Sequence, residues 1–186
     1  MKKIIAIVGM PGAGKTEASS YLLQKGFPFF KFGQITIDEL KAKGLPITQE
    51  NERVTREDIR KREGMGAYAV RALPYIKEML QKNSLVIIDG LYSWEEYEFL
   101  EEKFPGAISL VLIYAEPAVR YKRLKQRAER SLDFAEARAR DIAELENLNK
   151  GGPIAIADFL IENNDTIDKF HKKIDAFLGR LKSVTT

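Results

Sequence analysis

Gly9-Met10-Pro11-Gly12-Ala13-Gly14-Lys15-Thr16 decides the fold of this chain, because it fits G-x-x-x-x-G-K-[ST] and joins two segments of different periodicity. Before it, Ile4-Ile5-Ala6-Ile7-Val8 reads as a strand buried on both faces. After it, Thr16 to Leu23 holds good helix formers and no breaker. A strand, a glycine-rich bend and a helix form a phosphate cradle: Gly9, Gly12 and Gly14 let backbone N–H groups turn inward, and the helix offers its positive end to the same anion. Lys15 is placed to reach β and γ oxygens, and the Thr16 hydroxyl to hold Mg²⁺. Pro11, Ala13 and Glu17 complete the set expected around the phosphates. A turn that binds nothing would leave the Lys-Thr pair unexplained.

The chain has 186 residues and is 45% hydrophobic, enough for one well-buried core and too little for two ordinary domains. Its 30 basic and 27 acidic residues leave a net charge of +3, so nucleic acid and membrane surfaces are not the expected partners. There is no cysteine and one histidine, which excludes disulfides, thiolate nucleophiles and His or Cys metal clusters. A metal must therefore rest on oxygen ligands. The short apolar stretch after Met1-Lys2-Lys3 is neither a signal peptide nor a membrane span, and the expected location is cytoplasmic.

Further apolar runs at 27–32, 85–88, 108–114 and 159–161 alternate with helical patterns at 34–43, 49–61, 67–82, 93–103, 118–129, 134–149 and 166–181. Such alternation implies a parallel sheet covered on both faces. Pro74 inside the third of these patterns is expected to kink or break it. The extra helices fall between the second and third strands and between the fourth and fifth, where mobile lobes are inserted.

Leu85-Val86-Ile87-Ile88-Asp89-Gly90 is a strand ending in a carboxylate, which a doubly wound sheet brings beside the phosphate loop. Asp89 is a candidate to order the metal's water shell or to accept a proton. Because Gly90 follows it, the Asp-Glu pair that activates water in motor ATPases is absent, which favours transfer over hydrolysis. Arg120, Arg123, Arg127 and Arg130 are spaced to share one helix face, a donor row suited to a transferring phosphoryl group. The alternative is a solvated, acid-paired face; the phosphate loop selects Arg123 and Arg127 for function. Arg138 and Arg140 follow, with Arg140 also spaced to pair with Glu144. Among the arginines of residues 53–71, interleaved with acids, Arg60 and Arg71 are candidates to hold the acceptor, while the rest read as an exposed salt-bridged face. Tyr92 is an acceptor-side candidate able to stack a base. Trp94, Tyr97, Leu100 and Phe104 follow a core-packing period, and His171 receives no role.

These residues resemble the nucleoside monophosphate kinase group of P-loop proteins, which includes adenylate kinases and dephospho-coenzyme A kinases, and more narrowly the microbial P-loop ATPases that are dephospho-coenzyme A kinase-like or adenylate kinase-like. Residues 9–16 look like the group's phosphate loop, Ile88-Asp89-Gly90 like its third-strand motif, and Arg123-Leu124-Lys125-Gln126-Arg127 with 138–141 like the opening and closing arginine segments of its lid. Ala157-Asp158-Phe159-Leu160-Ile161-Glu162-Asn163-Asn164-Asp165 resembles the C-terminal signature of dephospho-coenzyme A kinases, which makes Asn163 and Asn164 candidates near adenine. The resemblance implies an α/β, three-layer P-loop NTPase fold with a five-stranded parallel sheet and helices on both faces. It also implies one domain over 1–186: a core of about 1–33, 84–118 and 151–186, a helical acceptor-binding insertion at about 34–83, and a short helical lid at about 119–150.

Departures restrict the substrate. Gly33 is followed by Gln34-Ile35-Thr36-Ile37, which lacks both the arginine of adenylate kinases and the carboxylate of dephospho-coenzyme A kinases, and Gln34 stands at that acceptor position. After Asp89-Gly90, Leu91-Tyr92-Ser93 again lacks the adenylate kinase arginine. Without a dedicated base the acceptor leans toward a phosphate, which is already ionised, although Asp89 can serve a hydroxyl. The expectation is an ATP- and Mg²⁺-dependent phosphotransferase acting on a phosphate- or hydroxyl-bearing small molecule, as a monomer or homodimer. Rival readings are an ATP-driven regulatory switch and a kinase of polynucleotide ends. No N-K-x-D motif supports a GTPase.

Overall fold

The computed structural model describes residues 2–128 and 131–184. Arg130, expected in the arginine row, and Glu129 lie outside the described residues. Strand β1 (Lys3–Val8) is central, flanked by β3 (Leu85–Asp89) and β4 (Ile108–Tyr114), with β2 (Phe29–Lys31) and β5 (Phe159–Glu162) at the edges. The order is β2-β3-β1-β4-β5 and every pair is parallel. Helices α1 (Lys15–Gln24), α2 (Gly33–Ala42), α3 (Gln49–Glu63), α4 (Ala67–Lys82), α5 (Trp94–Lys103), α6 (Pro117–Lys125), α7 (Phe134–Leu148), α8 (Gly151–Ala155) and α9 (Ile167–Val184) connect and cover the strands.

Alternation along β1 assigns the two layers. Ile4, Ala6 and Val8 face one side with Val86, Ile88 and Leu110, and there meet Ala69, Ala72 and Ile76 of α4 and Leu100 of α5. Ile5 and Ile7 face the other side with Ile87, Val111 and Ile113, against Ala18 and Leu22 of α1 and Phe170, Ile174 and Phe177 of α9. A strand covered on both faces needs an unbroken apolar run, which is what residues 4–8 supply. The parallel arrangement also brings the carboxyl ends of β1 and β3 side by side, with Ile7 in register with Asp89.

Three local expectations are corrected. The helix expected at 118–129 ends at Lys125, where the Ser131 hydroxyl donates to the Lys125 carbonyl (2.7 Å) and the Leu132 amide returns to Leu124 (3.3 Å). That reversal packs Leu132 against Tyr121, Leu124 and Ala137, a burial that outweighs extending a highly charged helix. Pro74 sits inside α4 without breaking it. The missing amide would have served residue 70, which is exposed, so water can take its place. Helix α8 lies where no helical pattern was expected, between 149 and 166; the Trp94 indole packs so closely on Gly152 that an added Cβ would lie 2.5 Å from the ring. The core-packing reading of 94–104 agrees with Leu100 at 0% exposure and Tyr97 and Phe104 against the same core.

The expected salt-bridged face is present on α2, α3 and α4. Arg53 pairs with Glu50 and Glu57, and Arg62 with Asp58 and Glu39. Among the described residues no helix is long and apolar enough to cross a membrane.

Candidate functional site

The bend between β1 and α1 depends on backbone that only glycine adopts easily. Gly9 has φ 144 and Gly14 φ 103. A Cβ on Gly9 would lie 2.4 Å from the Ile113 carbonyl oxygen, and one on Gly14 would lie 2.2 Å from Asn163 Nδ2. The bend therefore folds tightly against β4 and the loop after β5. Pro11 and Ala13 are buried in it, Gly12 packs on α6, and Thr16 stands exposed on the first turn of α1. The Lys15 ammonium lies inside the curl, donating to Gly9 O (2.8 Å) and Met10 O (3.1 Å). Burial first, and then the charge of Lys150, lower its pKa to about 7.

Asp89 ends β3 beside this curl at 4% exposure. Burial raises its pKa, while Lys15, Lys31 and the Ser19 hydroxyl pull the other way. Asn163 fastens the loop from below: its Nδ2 donates to Ala13 O (2.8 Å), and its Oδ1 accepts from Arg123 Nη2 (3.3 Å). The other Arg123 terminal nitrogen, Nη1, is buried without a partner, and burial lowers the guanidinium pKa. Asn164 bonds Glu116 and Glu162 at the surface. Glu17 meets His171 (2.7 Å), whose ring stacks on Tyr21 at 3.8 Å, so the histidine left without a role ties α9 to α1.

The arginine row does not act as one face. Arg120 is buried and forms a two-point pair with Asp141 (2.9 and 2.6 Å), while also donating to Pro11 O (3.0 Å). It clamps α6 to α7 and to the loop. Arg127 lies exposed beyond the end of α6. Arg138 is exposed on the rim of an apolar cleft of about 410 Å³ that reaches Met10, Tyr121, Ile142 and Leu145. Arg140 makes the i,i+4 pair with Glu144 (3.3 Å).

Of the acceptor-side candidates, Tyr92 stands beside the end of β3 and Arg60 is joined to it through Glu96, whereas Gln34 and Arg71 bond acids of α2 and α3. Tyr92 packs against Gly90, with its backbone amide donating to Glu96 (2.6 Å) and the Lys150 ammonium 4.7 Å from its ring centre. Arg60 lies over the Tyr68 ring and 3.6 Å from the fully buried Glu96, whose pKa burial raises to about 7. Gln34 is exposed and bonds Asp38. Arg71 pairs with Glu39 (2.8 Å) and Glu63 (2.6 Å). Lys150 itself was not singled out in the sequence, where it is one lysine between Asn149 and two glycines. Only the backbone reversal at Asn149 (φ 50) and the burial of Glu144 bring it inward.

Residues 5–144 match the AAA domain family AAA_18. A UPF0200 protein of Pyrococcus abyssi is 33% identical over 182 residues, covering 96% of this chain and 96% of the relative. A UPF0200 protein of Methanosarcina mazei is 37% identical over 177 residues, covering 94% and 92%. Among solved structures, shikimate kinase from Acinetobacter baumannii in complex with shikimate superposes with a TM-score of 0.60 at 19% identity, covering 98% of this chain and 94% of that one. A gluconokinase from Sinorhizobium meliloti superposes with a TM-score of 0.58 at 18% identity, covering 96% and 93%. These similarities and the loop geometry make the chain a member of the UPF0200 family, with an AAA-type P-loop domain and the fold of P-loop kinases.

Proposed function

We propose that the protein is an ATP- and Mg²⁺-dependent phosphotransferase acting on a nucleotide or nucleotide-like small molecule. One observation carries this reading: the Lys15 ammonium is enclosed by the glycine bend at the end of β1, with the buried carboxylate of Asp89 at the end of the adjacent strand. The AAA-type match and the kinase fold support it.

In this reading the loop amides and Lys15 hold the β and γ oxygens of ATP. The acceptor oxygen attacks the γ-phosphorus in line as the bond to the β,γ-bridging oxygen breaks, and that electron pair leaves on ADP. Arg123, Arg127 and Arg138 close over the transferring group and offset its charge. The family resemblance assigns Asn163 and Asn164 to the adenine side, and Asn163 also holds the loop in shape through Ala13. On the acceptor side Tyr92 and Arg60 are better placed than Gln34 and Arg71, whose polar groups are taken by Asp38, Glu39 and Glu63. No cluster of three acidic or histidine side chains that could hold a metal exists among the described residues. The donors available are the Thr16 hydroxyl and, through water, Asp89, an all-oxygen set that suits Mg²⁺ shared with phosphate and water. When bound, Mg²⁺ neutralises charge on the phosphates.

A second reading, transfer to a hydroxyl, is favoured by the position of Asp89: a buried carboxylate at the carboxyl end of β3, without an arginine partner among the described residues, can accept the alcohol proton. An ADP-release assay over nucleoside monophosphates, deoxy forms, dephospho-coenzyme A and nucleosides tests both. ADP release with a monophosphate supports the first reading, and release only with dephospho-coenzyme A or a nucleoside supports the second. Lys15→Ala is expected to abolish turnover with an unchanged circular-dichroism spectrum, and retained turnover in that variant sinks the proposal.

A further inference from the structure

Lys150 is buried to 1% exposure. Its ammonium meets the Glu144 carboxylate and lies over the Tyr92 ring. Tyr92 in turn packs on Gly90, the residue after Asp89, so closely that a Cβ there would be 3.2 Å from the ring. Through these contacts the C-terminal end of α7 reaches the carboxyl end of β3. The charges that act on Lys15 are Lys150, Glu144, Asp89 and Arg140, in that order. The group at the loop is therefore two lysines, Lys15 and Lys150, with two carboxylates, Asp89 and Glu144, and the exposed Arg140 on its outer side. Burial holds the pKa of each lysine below its ordinary value, and the charge of Lys150 adds to the lowering at Lys15.

A buried cation opposes folding unless it is paired, and a second ammonium whose charge reaches it makes the cost larger. A site that tolerates this is suited to an anion of several charges. An ammonium has three N–H donors. Glu144 takes one, and the Tyr92 face is not a conventional acceptor, so donors remain for a phosphate oxygen.

We propose that Lys150 is a second phosphate-binding lysine that contacts the terminal phosphoryl group of the donor, with Glu144 and Tyr92 as the residues that position it. This rests on the reading of the site as one for a nucleoside triphosphate. It separates Lys150 from Lys15, which spans the β and γ oxygens and so serves ADP as well as ATP.

The test compares binding of Mg²⁺·ADP with that of a β,γ-methylene ATP analogue by calorimetry, in the wild type, Lys150→Met and the double variant Lys150→Met/Glu144→Gln. The double variant leaves no carboxylate stranded at this position and guards against loss of fold. The preference for triphosphate over diphosphate is expected to fall by roughly 10- to 100-fold in both variants, the range of one charge-assisted hydrogen bond, with ADP affinity unchanged. Equal losses for both nucleotides would mean a purely structural brace and overturn the proposal, as would an unchanged preference. A wild type that binds neither nucleotide overturns the triphosphate reading itself and this inference with it.

Discussion

Gly14 shows how one residue joins local conformation to the wider site. Its φ of 103 caps α1, and the space a side chain would fill is occupied by the Asn163 amide. Gly14→Ala is expected to cost about 2 kcal/mol or more in urea unfolding, from left-handed strain and from the collision together. Adding Asn163→Ala should recover the steric part and leave the backbone part; a neutral Gly14→Ala would contradict the geometry. The glycine was legible in the sequence because its motif is eight contiguous residues, 9–16. Its partner was not legible in this role: Asn163 bonds Ala13 across 150 positions, and a resemblance pointed it at adenine. Lys150 carried no local signal either, since a lone lysine after an acidic helix most often faces water.

The helices α6 and α7 illustrate what holds at the level of elements. Both were expected, with Arg120, Arg123, Arg127 and Arg130 spaced to share one face and Arg123 and Arg127 selected for function, whereas Arg120 turns inward to Asp141 while Arg123 turns to Asn163. Helical spacing places residues on a face without saying whether that face meets solvent, substrate or another helix. Removing one partner of a buried pair strands the other charge, so Arg120→Ala is expected to cost about 3–5 kcal/mol by chemical denaturation. Arg120→Met with Asp141→Asn should cost less, because no buried charge is left alone. A loss under about 1 kcal/mol for Arg120→Ala would show that α6 and α7 are held by Tyr121, Leu124 and Ala137 instead. Helix ends were legible where capping residues mark them, as with Ser93 and Glu96 on α5 or Asp133 and Glu136 on α7. They were misread at Lys125, where a return contact stops the helix.

Across the whole molecule, a ligand gripped by the native loop and ignored by the unfolded chain must raise stability. ATP·Mg²⁺ at about 100 times its dissociation constant is expected to add about 2.7 kcal/mol, or about 5–10 °C in melting temperature for a protein of this size. Lys15→Ala should lose most of that shift, and a wild type unmoved by any nucleoside triphosphate would remove the basis for a nucleotide site. The sequence by itself determined the parallel α/β class, the five strands and the position of the phosphate loop, because these follow from short apolar runs, their alternation with helices and one contiguous motif. Only the tertiary structure decided which charged groups stand around that loop. Arg120 with Asp141, Asn163 with Ala13, and Lys150 with Glu144 and Tyr92 meet through sheet order and chain reversals, and burial then makes their charges matter, neither of which can be read from residues one at a time.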